Sequence, residues 1–104
     1  MGLIEGNAEN FEQEVLASKV PVLVDFNASW CGPCQALHPI LAELAENEGD
    51  FKIVTVDIDE EKALAVAHDV SSIPCLVLFE NGEEVDRRVG MQPKKRLMKM
   101  LGIK

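Results

Sequence analysis

Apolar residues along this chain follow two rhythms that alternate from one end to the other. Pro21-Val22-Leu23-Val24-Asp25-Phe26 is a β-branched, apolar run of strand length, while between Gln35 and Glu48 the residues Leu37, Ile40, Leu41, Leu44 and Ala45 recur at helical spacing. Upstream, Leu3-Ile4 reads as a short strand. A helix entered at Asn7 follows it, with Phe11, Val15 and Leu16 on its apolar face. Downstream, Phe51 to Ile58 predicts a strand and Glu61 to His68 a short helix bearing Leu64, Val66 and Ala67. After Pro74 the pattern becomes a hairpin: Leu76-Val77-Leu78-Phe79, a turn at Asn81-Gly82, then Glu83 to Val89. A last helix is predicted from about Pro93 to Leu101, with proline near its first turn. The sum is an α/β protein with a mixed central sheet.

Candidate chemistry sits between the first long strand and the helix after it, at Trp30-Cys31-Gly32-Pro33-Cys34. A helix beginning near Cys31 places that sulfur beside unsatisfied backbone N–H groups and the positive end of the helix dipole, which favour thiolate over thiol. Thiolate is the attacking species in disulfide exchange, so the spacing suits Cys31 as nucleophile and Cys34, one turn further in, as the resolving thiol. Pro33 lacks an N–H where that donor would be an orphan anyway, and Gly32 leaves room for another backbone to approach. Two cysteines at this spacing also make half of a zinc site, and context decides between them. Here the order is strand, reactive turn, helix.

Along nearly its whole length the chain resembles the thioredoxin family. Val24-Asp25-Phe26 is similar to that family's strand with a buried aspartate, Trp30 to Cys34 to its active site, Ile73-Pro74 to its cis-proline loop, and Val89-Gly90 to the glycine beside its docking groove; Pro39 falls where the family has a helix-kinking proline. The resemblance implies five strands with four helices on both faces, as a single thioredoxin domain spanning residues 1–104. It also implies reduction of protein disulfides by dithiol exchange, with a thioredoxin reductase as electron donor and disulfide-containing proteins as substrates. A cis Ile73-Pro74 bond would pack against both cysteines and present Ile73 backbone groups to an extended substrate strand. Trp30, Gly32, Pro33, Val89, Gly90 and Met91 would form the apolar docking patch around it. No bound cofactor is called for, because the cysteine pair itself carries two electrons.

Composition narrows the class. A chain of 104 residues suits one hydrophobic core. No basic leader followed by an apolar run opens the sequence, and no stretch approaches about 18 consecutive apolar residues, so the expectation is a cytoplasmic monomer without a membrane segment. Three cysteines argue against a structural disulfide framework. Net charge is −8, yet residues 1–86 hold all 18 acidic side chains and only three basic ones, whereas residues 87–104 hold seven basic side chains and no acidic one. Two accounts fit: a basic face that meets an acidic partner, or a solvated last helix whose Lys99 and Lys104 complement its dipole while Arg87 and Arg88 pair with the acidic surface. Nucleic acid is not expected of an acidic chain poor in aromatics.

Individual residues refine the picture. Asp25, flanked by apolar neighbours, predicts a buried carboxyl whose pKa is raised and which exchanges protons near neutral pH; the resemblance implies that it assists deprotonation of Cys34. The competing structural role is a cap on the turn before the active site. Three positions depart from the commoner family pattern. Asn27 stands in place of an aromatic residue, Thr55 in place of a lysine paired with the buried aspartate, and Cys75 in place of threonine after Pro74. Cys75 reads as a small buried core thiol, with a regulatory or alternative disulfide partner as the sharper hypothesis. Rival functions are a disulfide oxidase or isomerase on the same fold, a metal-binding module built on Cys31, Cys34, His38 and Cys75, and a subunit kept only to bind a partner. Gly-Pro between the cysteines resembles the reducing members, and His38 reads as a solvated side chain.

Overall fold

The computed structural model describes residues 2–46 and 50–103. Its strands β1 (Ile4–Glu5), β2 (Val22–Asn27), β3 (Lys52–Asp57), β4 (Cys75–Glu80) and β5 (Glu83–Val89) form one sheet in the order β1-β3-β2-β4-β5. The helical segments are α1 (Glu12–Leu16), α2 (Gly32–Leu44), α3 (Lys62–Ala67) and α4 (Lys94–Met100). Strand β3 pairs in parallel with β1 and β2, and α2 makes the crossover from β2 to β3. Strand β2 also pairs antiparallel with β4, which pairs antiparallel with β5.

Alternation along the central strand sends its side chains into two separate cores. Val22, Val24 and Phe26 pack with Val54, Val56, Val77 and Phe79 against Phe11 and Val15 on one face. Leu23 packs with Ile53, Leu76 and Leu78 against Leu37, Leu41 and Leu44 of α2 and Leu97 of α4 on the other. Burial on both faces explains why β2 reads as a nearly continuous apolar run rather than an alternating one. It also locates the exception. Asp25 is in register with Leu76 and Thr55, two residues on from Leu23, so its carboxyl lies on the α2 side of the sheet.

The hairpin turn forms as its sequence predicts: Asn81 and Gly82 both have positive φ, 55° and 80°, as a type I′ turn requires. Elsewhere the structure shifts expected boundaries. The first strand is Ile4–Glu5 rather than Leu3-Ile4. At Asn7 the chain enters a turn, not yet a helix: the Asn7 side chain accepts from the N–H groups of Glu9 and Asn10, and Asn10 accepts in return from the Asn7 N–H. The helical segment α1 begins only at Glu12 and is a π-turn closed by the Ala17 N–H donating to Glu12 O at 2.8 Å. Its apolar face is the predicted one. In α3, by contrast, Val66 is 77% exposed and Ala65 is the buried residue, because six residues can turn only one narrow stripe toward the sheet. Pro93 caps α4 from outside. The α2 helix ends at Leu44, with Ala45 as its cap, so the predicted helix to Glu48 is too long at Ala45 and Glu46, which form a turn; Glu48 itself and the role of Lys104 lie outside the described residues.

Candidate active site

Where β2 ends, the chain turns through Ala28 and Ser29 and enters α2 at the cysteine pair. Cys31 is the N-cap: its backbone is extended and its sulfur accepts the Cys34 N–H at 3.2 Å. Here the expected juxtaposition of sulfur and orphan helix donor is observed directly. Cys31 and Cys34 are joined as a disulfide with their Cα atoms 5.2 Å apart, and both are largely buried. Gly32 and Pro33, in the first turn of α2, stand exposed above them.

The Ile73-Pro74 peptide bond is cis, and Ile73 packs against Ala28, Cys31 and Cys34. Pro74 is buried, and its carbonyl accepts the Gly90 N–H at 2.7 Å, which ties the proline loop to the end of β5. Gly90 adopts φ +93°, in the region that disfavours any side chain, although the space around it is open. Val89 is in register with Cys75. Among the described residues, neither the N–H nor the C=O of Ile73 has an intramolecular partner. Five large apolar side chains among the described residues are exposed, and three of them, Trp30, Val89 and Met91, belong to the expected docking patch.

Asp25 lies beneath this surface and is only 2% exposed. Burial pushes its carboxyl pKa up from 3.8 to about 7, with the Asn27 hydrogen bond opposing the rise. The Asn27 amide donates to Asp25 Oδ2 at 3.3 Å and to the Asp25 carbonyl at 3.0 Å, while Oδ1 has no partner within the protein. The carboxyl therefore caps no turn. Among the described residues, Asn27 supplies the one donor to the Asp25 carboxyl, and it is neutral. Thr55 occupies the neighbouring position on β3, with no lysine there.

Two residues at this site escape the sequence pattern. Ile58 packs against the cysteine cluster, and Asp59 Oδ2 accepts the Trp30 indole N–H at 2.8 Å. Asp57 holds that turn by accepting the Asp59 N–H. The available signal is positional: β2 and β3 are parallel and in register at Asn27 and Asp57, so residues after both carboxyl ends meet at one edge of the sheet. His38 is exposed on α2, as expected. Cys75 is 1% exposed and packs in the core on the other side of the sheet from α2, where Arg87 Nη1 approaches its sulfur at 3.6 Å; burial pushes its thiol pKa up.

Comparison with known proteins bears on this arrangement. The family model "Thioredoxin" matches residues 2–102. The chain belongs to the thioredoxin family. It is 48% identical over 92 residues to thioredoxin 1 of Nostoc sp., covering 88% of this chain and 86% of that one. It is 44% identical over 90 residues to the thioredoxin of Rickettsia felis, covering 86% of each. A mutant thioredoxin from Halobacterium salinarum NRC-1 superposes with a TM-score of 0.88 at 38% identity, covering 96% of this chain and 88% of that structure. The thioredoxin fold, with its five-stranded mixed sheet and four helices, is thereby established, and with it the protein-disulfide oxidoreductase activity of a redox-active Cys31–Cys34 pair. No helix among the described residues is long and apolar enough to cross a membrane.

Proposed function

We propose that this chain acts as a monomeric, single-domain, cytoplasmic protein-disulfide reductase in which Cys31 attacks and Cys34 resolves. The observation that carries the assignment of roles is the asymmetry at the α2 N-terminus. Cys31 Sγ accepts a helix N–H, which stabilises its thiolate, while Cys34 lies within the helix over the sheet face that holds Asp25. The Cys31 thiolate displaces one sulfur of a substrate disulfide, forming a mixed disulfide and releasing a substrate thiolate that takes up a proton. Cys34 then loses its proton toward the Asp25 carboxylate, through water, and attacks the Cys31 sulfur. The second substrate thiol departs, and the enzyme is left with the oxidised pair. Two electrons from a thioredoxin reductase restore the dithiol.

Substrate binding uses the patch around the pair. Ile73 offers an unpaired N–H and C=O to an extended substrate segment, and main-chain pairing of that kind is largely indifferent to side chains. Trp30, Gly32, Pro33, Val89, Gly90 and Met91 cover the apolar flanks, buried Pro74 fixes the Ile73 backbone beside them, and Asp59 holds Trp30 in place. Cys31→Ser is expected to abolish reduction of a disulfide-linked peptide by dithiothreitol-reduced protein, whereas Cys75→Ser retains it within about twofold. Turnover by the Cys31→Ser protein, or dependence on Cys75, contradicts the assignment.

A further inference from the structure

The six described basic residues near the chain's end, Arg87 to Lys99, do not form one uniformly neutralised surface. Arg87 is engaged: it pairs with Glu84 at 2.8 Å and donates to the carbonyls of His68 and Asp69 on the α3 side of the sheet. Lys94 pairs with Glu43 at 2.6 Å. Lys95, Arg96 and Lys99 make no ion pair or hydrogen bond among the described residues, apart from backbone hydrogen bonds, and they line a groove of about 440 Å³ between α4 and β5. Asp86, Arg88, Pro93 and Met100 complete its walls. Asp86 is the one acid in that lining, and it is only 3.7 Å from Arg88. Arg88 Nε, shielded from solvent, has no hydrogen-bond acceptor.

We propose that this groove binds an acidic segment of the same protein whose disulfide is docked at Cys31, a reading that rests on the proposed function above. Three observations select that occupant. The groove presents four cationic side chains against a single carboxylate, so the complementary ligand is anionic. Residues 1–86 carry all 18 acidic side chains and only three basic ones, so most of that surface disfavours an acidic segment, whereas the groove, with one of those acids, concentrates positive charge. Finally, Arg88 directly precedes Val89-Gly90-Met91 and Pro93 follows it after Gln92, so the groove's lining brackets that segment of the docking patch in the chain. Pro93 and Met100 give the ligand's aliphatic stems an apolar floor. A charged rim of this kind governs partner choice and encounter more than intrinsic affinity.

The test uses two disulfide peptides that are identical except for a run of four glutamates or four glutamines. The run is set ten Gly/Ser residues from the disulfide, a linker spanning roughly 17 Å. At low salt, wild-type protein is expected to show a KM roughly five- to tenfold lower for the acidic peptide, a preference that shrinks below about twofold near 0.5 M salt. The triple variant Lys95→Gln/Arg96→Gln/Lys99→Gln is expected to lose the preference while retaining its kcat on the neutral peptide. Equal KM values with wild type, or a preference that survives in the triple variant, overturn the groove. Fluorescence anisotropy of the cysteine-free acidic peptide reads the groove independently of turnover: binding that the triple variant loses supports it. No binding, or binding of tripolyphosphate alone, overturns it. Failure to reduce either peptide counts against the dithiol reading and leaves the anisotropy result to decide the groove.

Discussion

Cys34→Ser is expected to convert the protein from a catalyst into a trap. With Cys31 intact, the first exchange proceeds and a covalent mixed disulfide accumulates. No thiol follows within the helix to displace the substrate, so steady-state turnover falls by at least about a thousandfold. Non-reducing electrophoresis and intact-mass measurement after mixing with a disulfide protein would reveal one substrate per chain, linked through Cys31 and released by added thiol. The expectation follows from geometry: in the disulfide the two Cα atoms are 5.2 Å apart, whereas Cys75 lies on the opposite side of a five-stranded sheet and cannot stand in. Substrate linked to Cys75, or free release by the variant, would contradict the division of labour.

Asp25→Asn is expected to stabilise the fold at alkaline pH while slowing the second exchange. Folding raises the carboxyl pKa from 3.8 to about 7, because burial outweighs the Asn27 hydrogen bond. Between those values the unfolded chain has lost the proton and the folded chain still holds it, so stability falls as pH rises through this window and levels off above pH 7. The integrated cost of ionising the buried group is on the order of 4 kcal/mol. Asparagine removes that ionisation and introduces a buried amide, leaving a net gain of roughly 2–3 kcal/mol at pH 8.5 that turns into a loss of about 1 kcal/mol toward pH 4, where only the amide's cost remains. Denaturant unfolding at the two pH values measures it directly. In turnover the variant lacks the proton acceptor, so mixed-disulfide resolution slows by about ten- to a hundredfold and loses its inflection near neutral pH. An unchanged stability at pH 8.5 would show that Asp25 is not held as a desolvated acid.

These expectations rest on features that were legible in the sequence to different degrees. The strand, reactive turn and helix from Val22 to Leu44 were readable because a doubly buried strand and a one-sided helix leave opposite periodicities, and because capping chemistry restricts what can open a helix. The Asn81-Gly82 hairpin was equally plain, since two consecutive positive φ angles demand those residue types. Segment α1 was less so. Its apolar residues Phe11 and Val15 are spaced for any helix, and nothing in that spacing distinguishes a π-turn entered after two interlocked asparagines. Val66 misled because a six-residue helix gives too short a window to fix which stripe faces inward.

At the site, local signals identified the cysteines and Asp25, but contacts across the fold had no local trace. Asp59 meets Trp30 across 29 residues of sequence, and the Asn27 amide turns back onto Asp25 only because both point to one face of the strand. The location of Cys75 was likewise a matter of parity. Adjacent to Pro74 in sequence, it faces the side of the sheet away from α2 because successive residues of a strand alternate. The same parity splits neighbouring arginines, sending Arg87 to the α3 side and Arg88 to the α4 groove.

Whether Cys31 and Cys34 act as a reducing dithiol is decided by the reduction potential of the pair. Equilibrating the protein in graded thiol/disulfide buffers and counting alkylated cysteines by mass spectrometry gives that value. A potential near or below about −250 mV is the predicted result and drives electrons from this protein to its substrates. A value near about −180 mV or higher would contradict it and make the chain an oxidase or isomerase on the same fold.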